Sequence, residues 1–486
     1  MAENYKKSIF DSIHGFIGMT RTEDRIVASP YFQRLRWIKQ LGWSHYIFPG
    51  ATHTRFAHAL GAMHIMDKIL RSIGKGVDDE KLYNLKTRDS KTMFHRKMRI
   101  AAMLHDIGTF PFSHSIEAGY IKYNRKQIAL GKKITPANHE ELGRHIITNT
   151  DFASGITHIL KADGFDPNEI AQIINGHSDD PLANQLIHSD IDADRMDYLL
   201  RDSHYTGVKY GVFDVDYLIA NMRVCKQGKN EVLAVNESAL MAVEYFLICR
   251  YSWYTQIIHE GTAYQFDLLA ERIAEFFIET GLAYSFEEIK NLVSKNPKAF
   301  FGFNDSYFTS KLHEALEHGV KGAHKISAMI EEWIEMLMFR IPMQQIKADP
   351  FEASLITSPV ERSDRIEKIH NAVEWLRTKL DKVPTAWVVE DIPTKDVIFT
   401  KNSDALKRSN KTRLDQQSSV KIVDREGNVK LLIDVSNSLI RILAGYQNFT
   451  PRVYVGKNTY KYLQSKGSLK ELEKMFGPQL KTKKPA

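Results

Sequence analysis

Apolar side chains recur at helical spacing along most of residues 1–345, then give way to short β-like runs beyond about residue 350. Residues 24–41, DRIVASPYFQRLRWIKQL, read as an amphipathic helix broken near Ser29-Pro30, because proline is tolerated in a first helical turn. Residues 48–54 contain Pro49-Gly50 and read as a turn. Phe56, Leu60, Met63 and Ile69 then place an apolar stripe on a helix over 54–72. Residues 75–91 are polar and read as a loop with a short helix. Ile100, Met103, Leu104 and Ile107 predict a helix over 97–107, with Gly108 and Pro111 as its stop signals. Residues 117–137, lysine-rich and less apolar, read as a helix continuing into an exposed connection, and further helices are predicted over 139–160, 167–175, 181–202, 236–280 and 309–339. The β-like runs are 385–389, 397–400, 420–423 and 429–433, and DREGN at 424–428 reads as a hairpin turn. The expectation is a mainly α protein with a helical domain over 1–345 and a smaller α/β lobe over 346–465. A basic tail, 466–486, follows and is expected to be partly disordered.

Composition narrows the class. The chain of 486 residues is 43% hydrophobic and 26% charged, in the ordinary range of soluble globular proteins. A formal net charge of +7 favours polyanionic partners such as nucleotides or nucleic acid. With only Cys225 and Cys249, neither a disulfide framework nor a cysteine zinc site is expected. The opening MAENYKKSIFDSIHG lacks the apolar run of a signal peptide, and nothing approaches about eighteen uninterrupted apolar residues. A cytoplasmic protein with no membrane span is the expectation.

The most informative chemistry is His105-Asp106 at the end of an apolar helical run. Imidazole and carboxylate together bind a divalent ion while leaving positions open for water. His58, between Ala57 and Ala59, and Asp194, in DIDADRMDYLLRD, are candidate further ligands. A calcium loop starting at Asp190 is excluded, because its sixth and twelfth positions are Arg195 and Arg201. As a helix, the same stretch lines up Asp194, Tyr198 and Asp202 on one face. Taken singly, each histidine reads as structural. The acidic stretch reads equally well as a solvated helix with Arg195 and Arg201 as ion-pair partners.

In combination, FPGATHTRFAHALG, HDIGTFPFSH and DIDADRMDYLLRD, in this order, resemble the HD-domain deoxynucleoside triphosphate triphosphohydrolases. The similarity is to the SAM-and-HD-domain type and its bacterial relatives without the SAM domain. DSIHGFI and SPYFQRLRWIKQLG add to the likeness, which is good over residues 11–211 and looser to about 455. The resemblance implies a helical HD core and the metal ligands His58, His105, Asp106 and Asp194, for magnesium, manganese, iron or zinc. It implies Arg55, Arg195 and Arg250 on phosphate, Gln40 and Asp202 on the deoxyribose 3′-hydroxyl, and Tyr198 against the sugar. His114, Glu117 and His139 fall at outer-shell and acid–base positions, and Lys209 is a further candidate for phosphate. Gln33 and Arg36 match residues that hold an activating nucleotide between subunits, so a homo-oligomer, dimer or tetramer, is implied.

The implied reaction releases deoxynucleoside and inorganic triphosphate from a dNTP. Three departures qualify it. Thr109 replaces a family histidine, Ile258 a tyrosine, and Ala28 the aspartate that reads guanine in the activator site. His259 aligns with a family histidine only if one residue is deleted. An HD phosphohydrolase or nuclease with another substrate (a signalling nucleotide or single-stranded nucleic acid) is one alternative. A non-catalytic nucleotide sensor is another. The aromatic cluster Tyr245, Phe246, Tyr251, Trp253 and Tyr254 reads as packing before base stacking, and the lysine-rich tail as solvated before nucleic-acid binding.

Overall fold

The computed structural model describes residues 4–132, 134–320, 326–356, 358–383, 385–393, 399–400 and 419–477. It is mainly α-helical. At its centre lies the Arg55–Ser72 helix, which buries Phe56, Ala59, Leu60, Ala62, Met63, Ile65, Met66, Ile69 and Leu70. A helix that is apolar nearly all round has to be covered on several sides. Ser90–Leu104 and Ala193–Thr206 cover it. Close approach is needed where Ala193–Thr206 crosses it. A Cβ on Gly61 would stand 1.9 Å from the Asp197 carboxylate, so glycine is what lets that carboxylate reach the central helix.

Several boundaries differ from the sequence expectation. The helix broken near Ser29-Pro30 is Arg21–Ala28 followed by Pro30–Arg34, and the Ser29 hydroxyl caps the second by accepting from the Phe32 N–H. The helix predicted to reach 107 ends at Leu104, having begun at Ser90 behind an Asp89 cap. His105 is therefore the terminal cap and Asp106 lies in the following turn. The 181–202 block divides into Pro181–His188 and Ala193–Thr206, because Asp192 caps the second helix through the Arg195 N–H. The 236–280 block divides into Leu240–Trp253 and Gly261–Glu279, joined through a wider turn at Tyr254–Ile258.

The expected lobe over 346–465 is not one contiguous unit. The hairpin around DREGN forms from Lys421–Val423 and Val429–Leu431. It pairs in parallel with Asn230–Asn236, whose antiparallel partner Met222–Gln227 completes a four-stranded sheet. Val420, Ile422, Leu432, Val435 and Ile440 thereby join the large helical core. The smaller core is built from the Pro359–Leu380 helix, packed through Ile369, Val373 and Leu376 against Phe449, Val453, Val455, Leu463 and Leu472. Leu472 lies on a helix, Ser468–Phe476, so the expected basic tail starts with ordered structure that packs into this core. Residues 397–398 of one expected β run, and 478–486 of the tail, fall outside the described residues. Among the described residues no helix is long and apolar enough to cross a membrane. Cys225 and Cys249 are both free thiols.

Candidate metal centre

Three helices and one turn bring His58, His105, Asp106 and Asp194 together. His58 Nε2 lies 3.0 Å from Asp194 Oδ1 and 3.7 Å from Asp106 Oδ2. His105 Nε2 lies 3.4 Å and 3.5 Å from the same two oxygens. The two imidazole planes stand at 84° with their centroids 5.2 Å apart. Ligands at about 2.1 Å from an ion and at about 90–110° to one another stand about 3.0–3.4 Å apart; the two distances to Asp194 fall in that range and the two to Asp106, 3.5 and 3.7 Å, lie just beyond it. Both Nε2 atoms are buried and have no hydrogen-bond partner among the described residues. Buried polar atoms are rarely left so, and a divalent cation between them and the two carboxylates would satisfy all four. The residues fit such an ion. They offer nitrogen and oxygen donors only, which accommodates magnesium, manganese, iron or zinc.

Each imidazole is held by its other nitrogen. His105 Nδ1 donates to the Ala102 carbonyl at 2.7 Å, a bond made available because the helix ends at Leu104. His58 Nδ1 meets Asp197 Oδ2 at 2.8 Å. The sequence reading missed Asp197, which also bonds Arg201 Nε at 2.9 Å and His14 Nε2 at 2.6 Å. Arg201 in turn holds Asp11 at 2.8 Å. The signal was available: residues 194, 197, 198, 201 and 202 recur at helical spacing on one face. Arg201 and its carboxylates are thus buried, so the solvated-helix reading does not apply there.

The carboxylates draw positive charge to this point. Burial lowers the His105 imidazole, but Asp106 and Asp194 outweigh it and hold it up to about 10. Burial raises Asp106, yet Arg55, His105 and His58 keep it well below the usual carboxylate range. Arg55 donates to Asp106 through one terminal nitrogen, and its Nε donates to Ser113 Oγ at 3.0 Å. Phe112 and Ser113 both have left-handed φ values, 49° and 57°, a strain of about 1–3 kcal/mol per residue. The turn is held by the Phe112 N–H on Asp305 Oδ1 at 2.6 Å, and by the Phe112 ring stacked on Trp43 at 4.1 Å.

A second cluster flanks the first. Glu117 accepts from His114 Nδ1 at 2.8 Å and from His139 Nδ1 at 2.7 Å, and also from the His139 backbone N–H. One carboxylate therefore orients two imidazoles and leaves both Nε2 atoms turned elsewhere. Burial pulls His139 down, but Glu117 outweighs it, with Asp106 adding, and brings it up to about 9. Glu117 itself is held well below its ordinary value, chiefly by His139 and His114 against the effect of burial. Gly108 allows this approach, since a Cβ there would meet the His139 carbonyl and the Gly143 N–H at 2.2 Å.

Other expected residues fall in two groups. Gln40, Tyr198 and Asp202 are buried, and among the described residues Gln40 Oε1, the Tyr198 hydroxyl and Asp202 Oδ2 have no partner. Asp202 Oδ1 is held by His53 Nε2 at 2.7 Å, and Tyr198 packs on Trp253 at 4.6 Å. Conversely, Arg195 is taken up by Asp192 and the Ser189 carbonyl, and Arg250 by Asp190 at 2.7 Å and the Phe399 carbonyl at 3.0 Å. Thr109 is buried, and its hydroxyl donates to the Asp106 carbonyl at 2.8 Å, so it closes the turn and does not face a phosphate. Gln33 and Arg36 bond each other at 2.9 Å, with Arg36 over the Phe56 ring at 3.5 Å. Of the aromatic cluster, Phe246 and Trp253 are buried, Tyr251 stacks on Phe399, and Tyr245 is exposed.

A model of the HD domain matches residues 55–202, which spans all four ligands. The chain is 31% identical over 302 residues to an uncharacterized protein, MJ1154, of Methanocaldococcus jannaschii, covering 61% of this chain and 54% of that one. It is 30% identical over 243 residues to the deoxynucleoside triphosphate triphosphohydrolase SAMHD1 of Homo sapiens, covering 45% and 36%. The chain spans about half the length of the curated relatives it matches first. Among solved structures, a hypothetical protein from Aquifex aeolicus is similar over 95% of this chain and 99% of its own, with a TM-score of 0.64 and 27% identity. Residues 55–202, in which the His-Asp pair closes a helix, thus match the HD domain, and the chain is similar to these relatives over part of their length.

Proposed function

We propose that this protein is a metal-dependent phosphohydrolase that splits deoxynucleoside triphosphates into deoxynucleoside and inorganic triphosphate. The observation that carries the reading is the ligand quartet, with two orphaned imidazole nitrogens, bordered by three buried polar atoms that also lack partners. The relative named as a dNTP triphosphohydrolase supports the substrate class.

A divalent ion bound by the quartet supplies Lewis acidity toward the phosphate and acidifies the attacking water. The chain's own groups do the rest. Gln40 Oε1, Asp202 Oδ2 and the Tyr198 hydroxyl suit a sugar that presents one hydroxyl donor and an apolar 2′ carbon. Water attacks the α-phosphorus, the bond to the 5′-oxygen breaks, and the triphosphate leaves carrying the water's oxygen. Protonated His139, steadied by Glu117, delivers a proton to the departing 5′-oxygen. Arg55, which holds Asp106, is placed to counter the growing phosphate charge, Arg195 would join it by leaving Asp192, and Lys209 is exposed near the same helix. Arg250, paired with Asp190, would likewise have to leave its carboxylate to reach phosphate. Homo-oligomerisation and regulation by a nucleotide at Gln33 and Arg36 belong to the same reading.

A second reading, an HD phosphohydrolase acting on another nucleotide, is favoured by the internal pairing of Arg195 and Arg250. Incubation with each dNTP, each NTP and single-stranded DNA, with Mg²⁺ or Mn²⁺, followed by ion-exchange chromatography, separates the two. Deoxynucleoside plus inorganic triphosphate is the expected result. Pyrophosphate, or mononucleotides from DNA, would sink the first reading.

A further inference from the structure

A cavity of about 240 Å³ opens beside the metal centre. It is joined to the centre through Arg55, which holds Asp106 on one side while its other nitrogens hold Ser113 Oγ and the Gln40 carbonyl, both residues of the cavity wall. The walls are apolar at Leu41, Phe112, Ile258 and Leu268. The Gly261–Glu279 helix contributes two carboxylates to the lining, Asp267 and Glu271, one turn apart. Asp267 Oδ1 accepts from Ser115 Oγ at 2.5 Å and from the Trp43 N–H at 3.5 Å, while Oδ2 has no partner among the described residues. Glu271 Oε1 receives Lys122 Nζ at 3.3 Å, which leaves Oε2 open. Gln40, which is 7% exposed, lines the same cavity. Such a lining combines apolar side chains with two carboxylates, a make-up suited to an aromatic ring that carries donors.

We propose that Asp267 and Glu271 read the donor edge of the substrate's nucleobase, so that the enzyme favours amino-bearing bases, guanine foremost, and rejects thymine. The proposal rests on the dNTP reading above and deepens it. Guanine alone sets a ring N–H beside an exocyclic amino group on one edge, which two neighbouring carboxylates can accept together. Adenine and cytosine offer the amino group without that ring N–H. Thymine offers one N–H flanked by two carbonyl oxygens, which the carboxylates would repel. A site built around buried acceptors rejects a ligand that leaves them unpaired far more strongly than an apolar slot rejects a change of size. Burial, opposed by the Ser115 bond, brings Asp267 up to about 6, so it is mainly ionised at neutral pH, while burial with Asp391 and Glu275 brings Glu271 up to about 7, so Asp267 is the stronger acceptor there and Glu271 joins it fully only above neutral pH. Ile258, where the family that this chain resembles has tyrosine, removes one aromatic ring from the lining, so polar readout carries more of the selection.

The test separates base reading from catalysis. Deoxyguanosine and thymidine are titrated calorimetrically into the full chain with Mn²⁺, and kcat/KM is measured for all four dNTPs. The expected preference for the guanine member is on the order of 10- to 100-fold in both, and it falls to a few-fold in Asp267→Asn. Thymidine binding held or raised in Asp267→Asn would report an intact slot, and Glu271→Gln should show a smaller loss of the same sign. Equal binding of the two nucleosides, binding of neither, or a thymine preference overturns the proposal. Triphosphate released at equal rates from all four substrates overturns it while leaving the dNTP reading standing. Selective deoxyguanosine binding without release of triphosphate overturns the dNTP reading and leaves base selection standing.

Discussion

Asp197→Asn isolates the contribution of the shell around the metal ligands. Asp197 touches no ion, yet its Oδ2 fixes His58 through a 2.8 Å bond to Nδ1 and so directs Nε2 at Asp106 and Asp194. Asparagine keeps the shape and loses the charge. Removing an outer partner of a metal-bound histidine costs about 10- to 100-fold in metal affinity, or about 1.4–2.7 kcal/mol. The substitution also weakens a buried ion pair with Arg201, typically about 3–5 kcal/mol. Since Arg201 keeps Asp11, the lower end, about 3 kcal/mol, is expected. Asp11→Asn supplies the control: it weakens the same arginine network without touching His58. Calorimetric Mn²⁺ titrations below the melting transition of each variant give the comparison. Asp197→Asn should lose tenfold or more in affinity, while Asp11→Asn stays within a few-fold of wild type at a comparably lowered Tm. Wild-type affinity in Asp197→Asn, or an equal loss in Asp11→Asn, would refute the positioning argument.

The Glu117–His139 pair sets a pH dependence with opposite signs at its two ends. His139 is raised to about 9, so its contribution to stability is full below about pH 6.5 and is lost as the pH climbs through about 9. Glu117 is depressed, so its contribution is present above about pH 4.5 and fades as the pH falls further. Melting curves of wild type and Glu117→Gln should differ most between about pH 5 and 7 and converge above about 9; a pH-independent difference contradicts the pairing. Turnover should fall above about pH 9 as His139 loses its proton. Thr109→Val should lower stability by about 1 kcal/mol by removing the donor to the Asp106 carbonyl, with kcat/KM changed by less than tenfold. A larger loss of turnover would mean that the hydroxyl acts on substrate. In a screen of nucleotide activators, guanine selectivity should be absent, because Ala28 offers no acceptor; activation by GTP or dGTP alone would overturn this.

The candidate ligands were singled out in the sequence because three ordered motifs, carrying His58, His105-Asp106 and Asp194, resemble a known family, and the structure brings these residues together. What surrounds them was harder to read. Asp197 and Arg201 look like solvated charges on an acidic helix, and only tertiary packing around Gly61 buries them. The helix end at Leu104 was missed because Ile107 continues the apolar pattern, although it is a turn residue packed into the core. The Met222–Gln227 and Asn230–Asn236 hairpin lies within a helical stretch, and its parallel partner at Lys421–Val423 is nearly two hundred residues away. Local periodicity carries no information about such a pairing, so residues 419–444 were assigned to the wrong core. The arginines expected on phosphate were likewise identified by position, while Asp190 and Asp192, which hold two of them, read only as neighbours in a motif.

The central claim is attack by water on the α-phosphorus with release of intact triphosphate. Turnover of a single dNTP in oxygen-18 water, with mass analysis of both products, tests it most directly. The account predicts label in the inorganic triphosphate and none in the deoxynucleoside. Label in the deoxynucleoside, or labelled pyrophosphate or orthophosphate as a primary product, would contradict it.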